Sequence, residues 1–189
     1  MGSQPAHAVA AAYDFTRFRR LVDVGGGSGT LIAAILAAAP GLHGILFDLP
    51  RGNVDAPHLL AAAGLAERCE VVAGDFFHAI PTGVDACILK SVVHDWEDDK
   101  AALILRNCRE SLPAGGTLLL VEQVMPDRME ASSSHRRAAL LDLHMLALPG
   151  GRERTSAEYK TLLTATGFAL QRILPLPASD VSLIVAATV

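Results

Sequence analysis

The sequence predicts a doubly wound α/β fold, with a mostly parallel sheet of seven strands and an antiparallel hairpin at one edge. Apolar, β-rich runs alternate along the chain with helical segments, a pattern typical of parallel strands covered by helices on both faces. Only a Pro-Leu-Pro-Ala-Ser-Asp loop separates the last two apolar runs, which favours a hairpin. The predicted strands are 20–24, 44–48, 69–73, 86–90, 117–122, 169–174 and 181–187, and the predicted helices are 30–39, 54–63, 98–111, 132–148 and 156–166.

Proline and glycine mark the ends of these helices. Pro40-Gly41 follows the first helix, Pro113-Ala114-Gly115-Gly116 follows the helix at 98–111, and Gly167 follows the last one. Proline cannot continue a helix and glycine readily takes up the conformation that ends one, so each of these positions is a stop signal.

The bulk composition describes one domain and excludes several classes of protein. The chain has 189 residues, a mean hydropathy of +0.34 and no apolar run near the length of about 18 residues that a membrane span needs. A net charge of -4 and the lack of a basic stripe argue against nucleic acid as a partner. Three cysteines without metal-ligand spacing, at positions 69, 87 and 108, are typical of buried reduced thiols in a cytoplasmic protein.

A glycine loop after the first strand is the clearest sign of a ligand. The run Leu21-Val22-Asp23-Val24-Gly25-Gly26-Gly27-Ser28-Gly29 joins a strand to a helix and lets backbone approach a nucleoside closely. The dinucleotide fingerprint needs a third glycine where this chain has Thr30. Because Asp23 can hold an ammonium group, S-adenosylmethionine (SAM) fits better than NAD. The alternative is a purely structural turn.

Ligands of such sheets bind beyond the carboxyl ends of the strands, which draws attention to two further acids. Asp48 ends the second strand, where a carboxylate can accept both ribose hydroxyls; it is alternatively a turn residue before Pro50. Asp75 and Phe76 follow the third strand and suit an adenine, the acid accepting from its amino group and the ring packing on its face. Phe76 is equally compatible with the core.

His94 is the candidate catalytic residue. It follows the fourth strand, beside Asp95 and at the edge where the cofactor is expected. An imidazole with a pKa near 6.5 suits the removal of a proton from a phenolic hydroxyl. Glu122, at the end of the fifth strand, is placed to orient it, whereas Glu153 by itself resembles a surface charge. No metal is required, since capping explains the two acids that begin the helix at 98–111.

Six motifs occur in order along the chain. They are V-D-V-G-G-G-S-G (22–29), F-D-L-P (47–50), G-D-F-F (74–77), L-K-S-V-V-H-D-W (89–96), N-C-R-E-S-L-P (107–113) and G-G-R-E-R-T (150–155). Together they are similar to the catalytic domain of SAM-dependent O-methyltransferases of the caffeic-acid/hydroxyindole type, from plant and bacterial secondary metabolism. The resemblance runs from about Tyr13 to the C-terminus, and the H-D-W and G-G-x-E-R-T segments are its most specific parts.

The resemblance implies roles for individual residues. It makes His94 the general base. The segment 142–146 matches the helix that lines the acceptor pocket in the family, with Leu141, His144 and Met145 as lining residues, although ordinary core is an open alternative for the leucine and methionine. The remaining implied roles are cofactor contacts at Gly25, Asp48, Asp75, Phe76 and Lys90 and flanking acids at Glu122 and Glu153.

One departure from the family concerns domain organisation. Its members begin with a helical domain that dimerises and closes one side of the acceptor site, and the sequence lacks that segment. We expect residues 1–19 to be a remnant of the linker and residues 20–189 to be the catalytic domain. The chain is then either a fragment or a natural short form. The cofactor site is expected to survive, while the family's homodimer and acceptor binding depend on the missing part.

The expected function is transfer of a methyl group from SAM to a hydroxyl of a small aromatic acceptor, which leaves S-adenosylhomocysteine. One alternative is a SAM-binding domain without turnover, because the acceptor lid is missing. Another is a family-like enzyme with a divergent SAM-assisted reaction. A nicotinamide dehydrogenase is a remote option. The sequence does not name the acceptor.

Overall fold

The computed structural model describes residues 3–126, 128, 151–177 and 179–189, and seven strands of these residues form one sheet. Their order is β3-β2-β1-β4-β5-β9-β8, so the chain reverses direction across the sheet between β1 and β4. The strands in chain order are β1 Arg20–Val24, β2 His43–Asp48, β3 Cys69–Ala73, β4 Ala86–Lys90, β5 Thr117–Glu122, β6 Val124–Met125, β7 Arg154–Thr155, β8 Phe168–Pro175 and β9 Ser182–Thr188. The predicted doubly wound sheet is confirmed.

The predicted edge hairpin is also confirmed. Strand β9 pairs antiparallel with both β5 and β8, whereas β1 to β5 pair in parallel. The sequence analysis did not predict β6 and β7. They pair in parallel, Val124 with Arg154 and Met125 with Thr155, and their pairing brings residues 151–155 to the carboxyl end of β5.

Five helices of the described residues surround the sheet: α1 Ser3–Ala12, α2 Thr30–Ala38, α3 Ala56–Ala62, α4 Asp98–Ser111 and α5 Ser156–Ala165. Short 3₁₀ turns cover Phe15–Arg17, Ala66–Arg68 and Val93–Asp95. The predicted helices at 30–39, 98–111 and 156–166 are reproduced within one residue. Helix α3 begins two residues later than predicted. The predicted helix at 132–148 lies outside the described residues.

Two layers of core cover the two faces of the sheet. Alternate residues of β1 enter opposite layers, because successive side chains of a strand point to opposite faces. Leu21 packs with α1, α2 and α3, whereas Val22 and Val24 pack with α4 and α5. Helix α2 is apolar on most of its surface, and a Cβ on Gly44 of β2 would lie 2.7 Å from Ile32 Cδ1. This close packing fixes α2, and the loop that precedes it, against the sheet.

The three cysteines are buried free thiols, as predicted from their apolar surroundings. No helix of the described residues is long and apolar enough to cross a membrane.

Candidate active site

The glycine loop is built so that only glycine fits at two of its positions. Gly25 has φ +71°, and a Cβ there would lie 2.8 Å from Val92 Cγ2. Gly29, which caps α2, has φ +83°, and its Cβ would lie 2.8 Å from Leu46 Cδ1. Both conformations are strained for other residues, and both approaches are closer than packing tolerates. The loop therefore presents bare backbone at the carboxyl end of β1.

A cavity of about 240 Å³ lies against this loop, lined by residues 25–28, 30 and 31 and by Asp23 and Lys90. Burial raises the pKa of Asp23 to about 7, although the charge of Lys90 acts to lower it. Its Oδ2 atom is buried and has no hydrogen-bond partner within the described part of the chain. Since a buried polar atom normally has a partner, this oxygen is suited to receive a cationic donor from a ligand in the cavity.

Asp48 lies beside the same loop, at the end of β2. Its Oδ2 atom accepts a hydrogen bond of 2.8 Å from the Gly27 amide, and its Oδ1 atom accepts one of 2.6 Å from the Leu49 amide. A Cβ on Gly52 would lie 2.3 Å from Oδ1, so backbone closes in on the carboxylate from a second side. The turn function considered for Asp48 is thus present, and the carboxylate retains lone pairs for two hydroxyls.

Asp75 and Phe76 form the neighbouring wall. Asp75 Oδ1 accepts from the Phe77 amide at 2.8 Å, and its Oδ2 accepts from His78 Nδ1 at 3.1 Å. The ring of Phe76 lies edge-on to Phe77 and to Trp96, with centroids 4.9 and 6.3 Å apart. That ring also lies 3.8 Å from the Cβ position of Gly25. Phe76 therefore belongs to an aromatic cluster that borders the glycine loop.

His94 lies in the 3₁₀ turn after β4, four residues beyond Lys90, and three carboxylates surround its ring. Nδ1 donates to Glu153 Oε1 at 2.8 Å and lies 3.8 Å from Glu122 Oε2, while Nε2 lies 3.4 Å from Asp95 Oδ1. The imidazole is 14% exposed, and the side chains of Glu122 and Glu153 are 0% and 1% exposed. The three residues predicted for proton chemistry are thus brought together, with the ring at the surface of a buried acidic pair.

The electrostatics of this group favour a positive charge on the ring. Burial acts to lower the pKa of His94, but the hydrogen bond that the ring donates to Glu153 and the charges of Glu122, Glu153 and Asp95 outweigh it and raise the pKa to about 9. Burial raises the pKa of Glu122 to about 7, against the opposing effects of His94 and of two backbone amides. The cluster therefore holds protons at neutral pH that its members would lose in water.

The two glutamates contact different groups. From the residues alone, Glu122 orients His94 and Glu153 resembles a surface charge, whereas the family resemblance makes both of them acids that flank His94. In the structure Glu153 is buried and makes the hydrogen bond to the ring. Glu122 Oε1 instead accepts from the amides of Val92 and Val93, at 3.0 and 2.8 Å. Glu122 holds the turn on which the histidine stands, because these amides have no helical partner at its start.

Sequence reasoning missed Arg154, which is 1% exposed. Its guanidinium donates to the carbonyls of Val93 and Trp96, at 3.1 and 2.8 Å, and to Asp98 Oδ1. Asp98, interpreted from sequence as a helix cap, is therefore the ion-pair partner of a buried arginine. Nothing in composition distinguishes Arg154 from the solvated arginines; its position beside Glu153 in the 150–155 motif was the available signal.

A larger surface cleft, of about 680 Å³, lies at the opposite edge of the sheet, at the amino ends of β1 to β4. Four of its charged side chains have partners within the described part of the chain. Arg68 donates to four carbonyls at the end of α2, Arg20 pairs with Glu70, and Asp85 accepts from the amides of Arg19 and Arg20. These contacts are structural, so the carboxyl edge remains the better candidate for a site.

Two further predictions from the sequence concern metals and the acceptor pocket. Among the described residues, no group of three or more His, Cys, Asp or Glu side chains is arranged to hold a metal ion. Leu141, His144 and Met145, predicted to line an acceptor pocket, lie outside the described residues.

Comparison with known proteins gives a consistent result. A family model described as an O-methyltransferase domain matches residues 4–169. The chain is similar to phenazine O-methyltransferase PhzM of Lysobacter antibioticus, at 48% identity over 96% of this chain and 52% of that protein. It is also similar to O-demethylpuromycin-O-methyltransferase of Streptomyces alboniger, at 46% identity over 94% of this chain and 47% of that one.

A solved structure agrees with these relatives. The O-methyltransferase NcsB1 from neocarzinostatin biosynthesis, in complex with SAM and 2-hydroxy-5-methyl naphthoic acid, matches with a TM-score of 0.85 and 36% identity, over 96% of this chain and 52% of that one. The chain spans about half the length of each of these three proteins. The match to the family model over most of the chain confirms the resemblance drawn from the six motifs: the chain belongs to the family of SAM-dependent O-methyltransferases.

Proposed function

We propose that this chain carries the catalytic half of an enzyme that transfers a methyl group from SAM to a hydroxyl of a small aromatic acceptor, with His94 as the general base. The observation that carries the proposal is the position of two residues, one at the end of β4 and one in the turn that follows it. Lys90, the last residue of β4, lines the cavity of the glycine loop, and His94 follows four residues later with Nδ1 bound to Glu153. Relatives that act on a phenazine or bind a naphthoic acid support an aromatic acceptor.

The residues around the cavity fit SAM. We assign Asp23 and its unpartnered Oδ2 to the amino group of the cofactor, because a buried carboxylate gains most from a cationic donor. Asp48 would hold the ribose hydroxyls, and Asp75 and Phe76 would hold the adenine. The bare backbone at Gly25 leaves the room that a side chain would fill. Lys90 completes the set.

The chemistry divides between the cofactor and the protein. SAM brings an already activated methyl group, so the chain mainly supplies alignment and proton removal. The hydrogen bond from Nδ1 to Glu153 leaves Nε2 as the nitrogen that takes the hydroxyl proton. The three carboxylates around the ring stabilise the imidazolium that forms. The ring can accept the hydroxyl proton only while it is neutral, and the neutral form becomes more populated as the pH approaches about 9.

The first experiment is a calorimetric titration of the chain with SAM, with NADH as the control ligand, followed by a methyl-transfer assay on a panel of phenols. We expect SAM to bind and NADH not to bind, with transfer to at least one phenol by this chain or by a longer protein that contains it. Binding without transfer in either form would leave a SAM-binding domain. Binding of NADH in place of SAM would refute the proposal.

A further inference from the structure

Arg154 divides its hydrogen bonds between the turn that carries His94, the carbonyl of Arg152 and the carboxylate of Asp98. Its Nη1 atom donates to the carbonyls of Val93 and Arg152, at 3.1 and 3.4 Å, and its Nη2 atom donates to the carbonyl of Trp96 at 2.8 Å. Nε and Nη2 both reach Asp98 Oδ1, at 3.0 and 2.7 Å. The two turn carbonyls belong to residues on either side of His94, so the guanidinium spans the turn.

Glu122 binds the backbone N–H groups of the same turn. It accepts from the amides of Val92 and Val93, whereas Arg154 donates to the carbonyls. The backbone of His94 has its own anchor, because its carbonyl accepts from the Arg152 amide at 2.9 Å. The turn is therefore fixed by a buried anion on its N–H side and a buried cation on its C=O side.

Stability alone does not explain a buried arginine at this position. Moving a guanidinium out of water costs several kcal/mol, and well-packed apolar residues often replace buried ion pairs without loss of stability. What a planar guanidinium provides, and an apolar side chain does not, is a fork of donors in fixed directions. Those directions coincide with the carbonyls that flank His94.

We propose that Arg154 is a positioning residue, which acts through the carbonyls of Val93 and Trp96 to hold the His94 ring against Glu153. Its part in the reaction rests on the function proposed above, whereas its effect on the ring is a property of the fold. A loss of one hydrogen bond at the turn would let the ring move away from the carboxylate. Misplacement of a reacting group by about 1 Å can reduce turnover about 100-fold.

The chain offers a matched control two residues away. Arg152 also pairs with Asp98, at 3.6 Å, and it pairs with Glu158, but its side chain is 42% exposed and none of its side-chain hydrogen bonds given for the described residues reaches the turn. Replacing Arg152 or Arg154 by methionine removes one positive charge from the same ion-pair group. Only the second replacement removes donors from the turn.

The decisive measurement is an NMR titration of the His94 ring in the wild-type chain and in the variants Arg154→Met, Arg154→Lys and Arg152→Met, with His94→Gln to assign the signal. Removal of a nearby positive charge by itself would raise the pKa of His94. Loss of the Glu153 contact would lower it, because that hydrogen bond is the main cause of the increase. The sign of the change therefore separates positioning from simple charge removal.

We expect Arg154→Met to lower the pKa of His94 by about 1 or more, Arg154→Lys to lower it less, and Arg152→Met to leave it or raise it slightly. In an active form of the protein, kcat should fall about 10- to 100-fold in Arg154→Met with the KM for SAM unchanged. Circular dichroism identifies any variant that does not fold. Arg154→Lys keeps the charge and most of the volume, and it decides the question if the methionine variant is unfolded.

A folded Arg154 variant in which the pKa of His94 is unchanged or raised would overturn the inference. A lowered pKa in a protein that transfers no methyl group would uphold the positioning and refute the proposed function. The converse result, transfer by the wild type with an insensitive His94, would uphold the function and refute the positioning.

Discussion

The two halves of the candidate site, the cavity at the glycine loop and the cluster around His94, are formed by different kinds of groups. The cofactor half, around Gly25 and Asp48, is a cavity bounded mainly by the backbone of the glycine loop, with Asp23 and Lys90 as its charged lining residues. The proton half, around His94, is made of buried charge from segments far apart in sequence, since Glu153 lies 59 residues beyond the histidine. The first is therefore sensitive to side-chain volume and the second to protonation.

This contrast indicates how each half tolerates change. A cavity bounded by close-packed main chain has little room for an added side chain. A cluster of one histidine and three carboxylates changes its charge with a single substitution. Each half should therefore respond to perturbations that leave the other unaffected.

Replacement of His94 tests this independence with the largest expected effect. His94→Ala should reduce turnover about 10²- to 10⁴-fold, the usual contribution of a general base, while the dissociation constant for SAM stays nearly unchanged. Steady-state assays and calorimetric titration measure the two quantities. His43→Ala is the matched control, because His43 is exposed and lies at the amino end of β2, at the opposite edge of the sheet. Near-normal turnover in His94→Ala would show that His94 is not the general base.

A substitution in the glycine loop tests the other half. Gly25→Ala introduces a Cβ 2.8 Å from Val92 Cγ2 at a positive φ, so it should weaken SAM binding about 10- to 100-fold, or about 1.4–2.8 kcal/mol. Gly64→Ala is the control for a positive φ alone, since Gly64 has φ +69°, nothing lies within 4 Å of its Cβ position and it does not line the cavity. This variant should leave the SAM dissociation constant nearly unchanged. Equal losses in the two variants would show that general strain, and not the contact with Val92, weakens binding.

The pH dependence of stability above about pH 6.5 gives the smallest effect and reports on His94. The folded pKa of His94, about 9, exceeds the ordinary histidine value of 6.5, so the folded state holds this proton more tightly. Its stabilisation is complete below about pH 6.5 and is lost as the pH rises through about 9. The free energy of unfolding should fall over this range by about 1–3 kcal/mol. Thermal unfolding at pH 6 to 10 measures it.

His94→Gln should flatten this part of the curve, and His78→Gln should not. At lower pH, Glu122 and Asp23 also make the free energy of unfolding fall as the pH rises. Their folded pKa values of about 7 exceed the ordinary values of 4.5 and 3.8, so their contribution to stability is lost as the pH rises through about 7. Stability that rises between pH 6 and 9 would contradict the charge arrangement around His94.

Local patterns in the sequence predicted most of the fold and the cofactor half of the site. The strand, loop and helix around Gly25 are contiguous, and Asp48 and Asp75 follow strands whose carboxyl ends share one edge of the sheet. A period of two in strands, helix stop signals and the topological rule for parallel sheets are enough to place them. The boundaries of β1, β3, β4 and β5 were predicted without error.

For the proton half, the sequence indicated which residues lie together but not how they contact one another. The burial of Glu153 and the partners of Arg154 depend on the pairing of β6 with β7, two strands of two residues each that no periodicity reveals. Glu153 and Arg152 are adjacent to glycines and charges, so they resemble a surface loop. Tertiary contacts show why this segment lies against the turn: the Arg152 amide donates to the His94 carbonyl at 2.9 Å, and Gly151 packs so closely that a Cβ there would clash with the same carbonyl oxygen.

Strand β4 has a consequence for how such an enzyme changes over evolution. Its last residue lines the cavity of the glycine loop, and the turn that follows it bears the proposed base, so the end of one strand and a short turn set the interval between them. On the function proposed here, the interval between the transferred group and the proton acceptor is inherited with the scaffold. New acceptors are then accommodated by residues elsewhere, and a lineage can exchange its substrates while the reaction itself stays the same.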